Sequence, residues 1–289
     1  MASPVWFITG SSNGLGLLLS LRALRAGHRV IATVRDAERS AEAVQSIKDA
    51  GGRVVEMDSM ESRQSIINKV QEAEKIHGRI DFLVNNAGYS QLGPVEFFTE
   101  EETERQFRTN VFGPLFVMQA ALPGMRSRKA GTIINVSSVA GHDATPSCGL
   151  YAASKFGLEG LSESLSKEVA SFGISVLLVE PGAFRTNFLH AIGTAEPPVV
   201  QSGYEGTPVD AFMTRFHGAN GKQAGDPHKA VEAVFEVATG EGKAGKLKGK
   251  VLRLVLGDDA FTRIEGKIRS VQGDMETTRE VGLFTAFDS

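Results

Sequence analysis

Two side chains in this sequence are spaced to move a proton at neutral pH. Tyr151 and Lys155 lie four residues apart, so in a helix they share one face about a turn apart. A free tyrosine, with a pKa near ~10, is a poor base at pH 7. An ammonium beside the phenol favours phenolate and lowers that value. Such a pair suits a carbonyl that accepts hydride, where charge developing on oxygen needs a proton donor and the reverse step needs a base. A second chemistry is suggested near the start of the chain. Thr9-Gly10-Ser11-Ser12-Asn13-Gly14-Leu15-Gly16 follows a short apolar run and precedes a helical pattern. Glycines permit a tight turn and close backbone approach, and a helix N-terminus offers free N–H groups to a phosphate. The glycines at 10, 14 and 16 do not follow the G-x-G-x-x-G spacing. What marks a nucleotide site is their position, between a first strand and a first helix.

Elements of two alternating kinds must hold these groups. Short apolar runs predict strands at Val5–Thr9, Arg29–Val34, Arg53–Met57, Phe82–Asn85, Thr132–Val136, Ser175–Val179 and Val251–Val255. Helical periodicity predicts helices near Gly14–Ala26, Ala37–Ala50, Ser62–His77, Glu101–Arg126, Leu150–Phe172, Pro227–Thr239 and Asp258–Gln272. This alternation implies one α/β domain over residues 1–289, a doubly wound, Rossmann-type parallel sheet of about seven strands with ligands at the strand carboxyl ends. Residues 187–225 break the rhythm: the stretch is rich in Gly, Pro and Ser yet carries Phe188, Ile192, Tyr204, Phe212, Met213 and Phe216. It reads as a substrate lid inserted in the domain.

Composition narrows the partners. With 42% hydrophobic and 22% charged residues, the 289-residue chain has ample core formers for a globular fold. A net charge of −3 and no Lys/Arg run give no footprint for nucleic acid or an anionic membrane. Cys148 is the only cysteine, which fits a reducing, cytoplasmic compartment. The first nine residues carry no basic stretch and break at Gly10, so they read as a strand rather than a leader. The six histidines show no H-x-x-x-H or His/Cys spacing, and no metal site is expected.

Further segments join the glycine turn: Asn85-Asn86-Ala87-Gly88 at the end of the fourth strand, Asn110 inside the next helix, Ser138 closing the fifth strand, Tyr151-Ala152-Ala153-Ser154-Lys155 opening a helix, and Pro181-Gly182 with Thr186 after the sixth strand. In order and spacing this set resembles the short-chain dehydrogenase/reductase family. The separation 151 − 138 = 13 matches that family and selects Ser138 over Ser137. The resemblance implies a catalytic set of Ser138, Tyr151, Lys155 and Asn110. Ser138 would bond the substrate oxygen, Lys155 the nicotinamide ribose hydroxyls, and Asn110 a water linking Lys155 to solvent. It implies cofactor contacts from Gly10, Ser12, Asn13, Gly14, Leu15 and Gly16 at the phosphates, from Asp58 beside the adenine, and from Asn85, Ala87 and Gly88 along the adenosine half. Pro181, Gly182, Phe184 and Thr186 would lie on the nicotinamide side. It also implies a homodimer or homotetramer, joined through the helices that carry Asn110 and Tyr151, where Phe116, Val117, Leu161 and Leu165 are apolar.

The second strand ends Ala32-Thr33-Val34-Arg35-Asp36. The position that is acidic in NAD-preferring relatives falls on Val34, with Arg35 next, which favours NADP(H). Asp36 could fold back onto Arg35, and Asn13 stands where many NADP enzymes carry a basic residue. Substrate contacts are expected from the lid and from residues 138–151, among them His142, Asp143 and Cys148. His142 is either a polar handle for substrate or an exposed loop histidine. The expected reaction is hydride exchange between NADP(H) and a bulky, largely apolar ketone or secondary alcohol, steroid-like, polyketide or retinoid-like. Two alternatives stay open: a fold recruited for a non-redox isomerisation or cyclisation, and a silent NADP-binding regulatory protein.

Overall fold

Val5–Ile8 forms the first strand, β1, and all four residues are buried, which requires a sheet covered on both faces. The computed structural model describes residues 3–188, 192–196, 198, 203–219 and 221–287. After β1 come α1 (Gly14–Arg25), β2 (Arg29–Val34), α2 (Ala41–Asp49), β3 (Arg53–Glu56), α3 (Arg63–His77), β4 (Phe82–Asn85), β5 (Gln91–Leu92) and α4 (Glu100–Phe107). Then follow α5 (Gly113–Arg128), β6 (Gly131–Val136), α6 (Gly149–Val169), β7 (Ile174–Pro181), β8 (Gly193–Thr194), α7 (Pro208–Gly218), α8 (Pro227–Thr239), β9 (Arg253–Leu256) and α9 (Asp258–Leu283). Seven strands form one sheet in the order β3-β2-β1-β4-β6-β7-β9, parallel throughout.

Side chains alternate across a strand, so β1 divides its burial between two cores. Val5 and Phe7 pack with residues of α3 and α5. Trp6 and Ile8 pack on the other face, with α1, α2 and α8. The chain runs from β1 outward to β3, then returns to place β4 on the opposite side of β1. The carboxyl ends of β1 and β4 therefore flank a topological switch point, the crevice where such sheets bind ligands.

The seven expected strands are the seven of this sheet, with the last shifted to Arg253–Leu256. The expected continuous helix Glu101–Arg126 is instead two helices joined by a π-helical turn, Arg108–Phe112. A capping box between Thr99 and Glu102 starts α4. Pro114 then lacks the N–H that an α-helix would aim at the carbonyl of Asn110, and Gly113 N–H bonds back to Arg108 O instead. The ladder opens at Asn110. Helix α9 ends at Leu283 rather than Gln272. The described part of residues 187–225 carries order that the sequence did not suggest: β8 pairs with β5, and α7 buries Met213 against Leu92 and Cys148. Among the described residues no helix is long and apolar enough to cross a membrane.

Candidate active site

The glycine turn after β1 is fastened to the end of β4. Thr9 Oγ1 accepts from the N–H groups of Asn86 (3.0 Å) and Ala87 (3.1 Å). Asn86 Nδ2 donates to the carbonyls of Thr9 and Gly10 at 3.0 and 2.9 Å. Gly10 sits at φ 68° and Gly14 at φ 56°, the left-handed region that glycine enters without strain. A Cβ on Gly10 would stand 2.7 Å from Ala87 Cα, so the two segments meet only because residue 10 is glycine. Thr9 and Asn86 were absent from the expected site. Two adjacent asparagines after a buried strand were the available signal, since one of them has to satisfy the turn. Asn85 differs from expectation, because its side chain is buried and donates to Asn135 Oδ1 at 2.8 Å. It ties β4 to β6 beneath the site.

Helix α1 begins with N–H groups that no side chain caps, and its first turn holds no acid. That is what an incoming phosphate requires. A cleft of about 740 Å³ opens beside this turn, lined by Ser12, Asn13, Gly14, Arg39, Arg185 and Thr186 among others. Leu15 and Gly16 belong to the first turn of α1, and Thr186 packs 3.6 Å from the place a Gly14 Cβ would take. Arg35 is exposed at the end of β2 and has no partner among the described residues. The suspected back-fold of Asp36 does not occur: Asp36 caps Arg39 N–H at 2.9 Å and pairs with its guanidinium at 3.3 Å. Asp58 follows β3 on the same rim, its Oδ1 accepting from Met60 N–H. Pro181 ends β7. Asp259 of α9 accepts from Ala183 N–H at 2.8 Å and packs on Gly182, while Phe184 bridges to Gly225. A phosphate-bearing dinucleotide fits this rim: uncapped N–H groups, a glycine passage and an unpaired guanidinium.

The fold brings Ser138, Tyr151, Lys155 and Asn110 into one neighbourhood. Ser138 starts a 3-10 turn after β6, where its Oγ accepts from Ala140 N–H at 3.1 Å, near enough to the Tyr151 phenol to lower its pKa. Lys155, one turn on along α6, is buried and donates to the Val136 carbonyl at 2.8 Å. Its Nζ lies 5.7 Å from the centre of the Tyr151 ring. Asn110 is buried, with both amide hydrogens used: Oδ1 accepts from Tyr89 N–H, and Nδ2 donates to Tyr89 O and Ser154 Oγ. The side chain therefore has no hydrogen left to donate to the expected water. The group with spare capacity is the Asn110 carbonyl, which Pro114 leaves without its helical donor. A Cβ on Gly88 would sit 3.2 Å from Asn110 Oδ1 and 3.7 Å from Lys155 Nζ, so glycine there keeps the approach to the lysine open. Phe188 stands over Tyr151 with ring centres 6.0 Å apart.

Electrostatics corrects one expectation. Burial pushes the Tyr151 phenol up to about 12, against a smaller opposing effect of the Ser138 hydroxyl. Burial draws Lys155 down to about 8, only partly offset by Glu159. Lys155 is not among the groups that shift the phenol. Desolvation acts on both groups, and one N–H of the ammonium is committed to the Val136 carbonyl.

His142 is half-buried rather than an exposed loop residue. It pairs with Glu180 at 3.1 Å and lies 3.9 Å from Glu159. Its ligand atom and those of Glu159 and Glu180 lie within 4.8 Å of one another, a cluster that linear spacing could not reveal. Arg253 joins it, 3.1 Å from Glu159 and 3.3 Å from Glu180. Its guanidinium balances the buried carboxylates, and the adjacent Glu180 carboxylate raises His142 above its ordinary pKa. The cluster reads as an ion-pair network. Asp143 is likewise taken, by Arg263 of α9 at 2.8 Å. Cys148 is buried in the small cluster beneath α7.

Residues 4–197 match the family described as short chain dehydrogenase, and the chain belongs to that family. It is 42% identical over 214 residues to the oxidoreductase claN of Passalora fulva, covering 74% of this chain and 95% of that protein. A short-chain dehydrogenase from Streptomyces avermitilis superposes with a TM-score of 0.86 at 35% identity, over 99% of this chain and 100% of the other. A metagenomic short-chain oxidoreductase in complex with NADP is 26% identical with a TM-score of 0.67, over 88% and 97% of the two chains.

Proposed function

We propose that this short-chain dehydrogenase exchanges a hydride between NADP(H) and a bulky, largely apolar ketone or secondary alcohol, with Tyr151 as the general acid and base. The observation that carries the reading is the placement of Tyr151 with its ring centre 5.7 Å from the buried Lys155 ammonium, with the buried Ser138 near enough to lower the phenol. Ser138 orients the substrate oxygen towards the phenol. Tyr151 gives its proton to that oxygen during reduction and takes it back during oxidation. NADP(H), held by the turn from Gly10 to Gly16, by Asp58, Ala87 and Gly88, and by the segment Pro181–Thr186, supplies or accepts the hydride. Lys155 offers its ammonium to the cofactor ribose, and the Asn110 carbonyl holds the water through which the lysine exchanges protons with solvent.

NADP(H) over NAD(H) rests on Arg35, free at the rim, with Val34 rather than an acid before it. The metagenomic relative that holds NADP supports the same reading. An apolar substrate is supported by Phe188 over Tyr151 and by the cluster of Leu92, Cys148 and Met213 with Ile192 and Phe212, and the same residues support reading 187–225 as a substrate lid. The single buried cysteine supports a cytoplasmic location, and α5 and α6 are the faces through which a homodimer or homotetramer forms. The test is to incubate the purified protein with NADPH and a panel of hydrophobic ketones and follow reduced-nicotinamide absorbance. Turnover that disappears in Tyr151→Phe is expected. No turnover on any ketone, or turnover that survives the substitution, overturns the reading.

A further inference from the structure

Helix α9 leaves the body of the protein soon after Arg263. From Lys267 to Leu283 every residue is exposed, and Gly266, Gly273 and Gly282 lie within the helix. Glycine inside a helix costs about 1 kcal/mol relative to alanine, and most helical stability comes from packing an apolar face. This segment has such a face. Phe261, Ile268 and Met275 recur every seven residues, with Ile264 and Val271 between them, the spacing of a two-helix seam. Ile268 is 60% exposed, Val271 43% and Met275 67%. The same three residues line a groove of about 530 Å³, whose far wall is Phe156 of α6 and His142.

Charge decides what fills the groove. Flanking the stripe on one side are Lys267 and Asp274, and on the other Glu265 and Arg279. Lys267, Asp274 and Arg279 have no side-chain partner among the described residues. Two such helices laid antiparallel, with the two-fold axis near Val271, set Lys267 against Asp274 of the second copy and Glu265 against Arg279 of the second copy. A parallel pair would put Lys267 against Gln272, because flanking positions then meet five residues out of step. From Phe261 to Leu283 the helix carries equal charge of both signs, Arg263, Lys267, Arg269 and Arg279 against Glu265, Asp274, Glu276 and Glu280, with no basic excess for an anionic membrane.

We infer that α9 is a self-docking arm: it lies antiparallel against α9 of a second copy of this chain, over the groove beside Phe156. This contact adds α9 to the part of α6 that carries Phe156 and does not depend on the redox reading.

Cysteine cross-linking tests the register, since the native Cys148 is buried. In the antiparallel pair two residues at position 271 lie beside the axis, within disulfide reach. Two at position 261 lie about 30 Å apart along the helix, at 1.5 Å per residue. Under mild oxidation of the full chain at micromolar concentration, Val271→Cys is expected to give a two-chain species in at least about tenfold higher yield than Phe261→Cys, which lies beyond disulfide reach. Lys267→Glu in the Val271→Cys background lowers the yield, and adding Asp274→Lys restores it. Equal yields from both positions, no two-chain species from either, or no rescue by the paired charge reversal overturns the inference. Phosphatidylserine vesicles are the second arm: wild-type protein that co-sediments with them while Val271→Cys fails to cross-link assigns the stripe to a membrane surface instead.

Discussion

Lys155 points its ammonium at the carbonyl oxygen of Val136, 2.8 Å away, and not at the phenol of Tyr151. The lysine is thus held in the seam between α6 and β6, buried and close to neutral at moderately alkaline pH. Its proton is the more labile of the two.

A pH dependence follows from this. kcat/KM reports the ionisations of the free enzyme, and a Lys155 near 8 is charged below that value and neutral above it. Ketone reduction with NADPH is expected to decline in kcat/KM as pH rises through about 8. Lys155→Arg, whose guanidinium stays protonated, should remove that decline while lowering the plateau. A profile flat from pH 6 to 10 in the native enzyme would show that the lysine charge has no part in turnover.

Tyr151→Phe and Lys155→Met are expected to keep the fold and lose activity. General acid–base catalysis contributes about 10²–10⁴-fold, so turnover should fall by at least about a hundredfold in each. Circular dichroism checks the fold, and absorbance of the reduced nicotinamide checks the rate.

Cofactor preference should respond to one charge. Val34→Asp places a carboxylate beside Arg35, competes for its guanidinium, and repels a 2′-phosphate. A lost charge-assisted hydrogen bond is worth about 1.5–3 kcal/mol, so the NADPH-over-NADH preference should drop by at least about tenfold. Fluorescence titration of both cofactors on both proteins measures it without substrate. An unchanged ratio would reduce Arg35 to a surface charge.

His142 should stabilise the protein in acid more than in base. Its folded pKa is raised by Glu180, so the folded state holds the proton more tightly than the unfolded chain. That stability is fully present below the ordinary histidine value of about 6.5 and is lost as pH rises through the raised value. His142→Gln is expected to cost on the order of 1.5–3 kcal/mol at pH 5.5, as for a hydrogen bond to a charged group, and progressively less at higher pH. Urea denaturation of both proteins across that range measures the difference. A cost that grows with pH would reverse the assignment.

Periodicity and local motifs determined much of this protein. Buried strands covered on both faces write themselves as continuous apolar runs, so β1, β4 and β6 were legible, and the order of turn, asparagines, serine and Tyr-x-x-x-Lys named the family. Pro114 could have announced the break at Asn110, because a missing N–H is a local fact. What linear order could not reveal depends on which distant groups share a dry volume. The Thr9–Asn86 clip joins residues from two strands. His142, Glu159, Glu180 and Arg253 come from four separate segments and meet only when β7 and β9 pair beside α6. The direction of the Tyr151 and Lys155 shifts was also beyond the spacing. Four residues on a helix fix that the two side chains are neighbours; how much water surrounds them, and whether Val136 or the phenol receives the ammonium, is decided by the packing of α6 on the sheet.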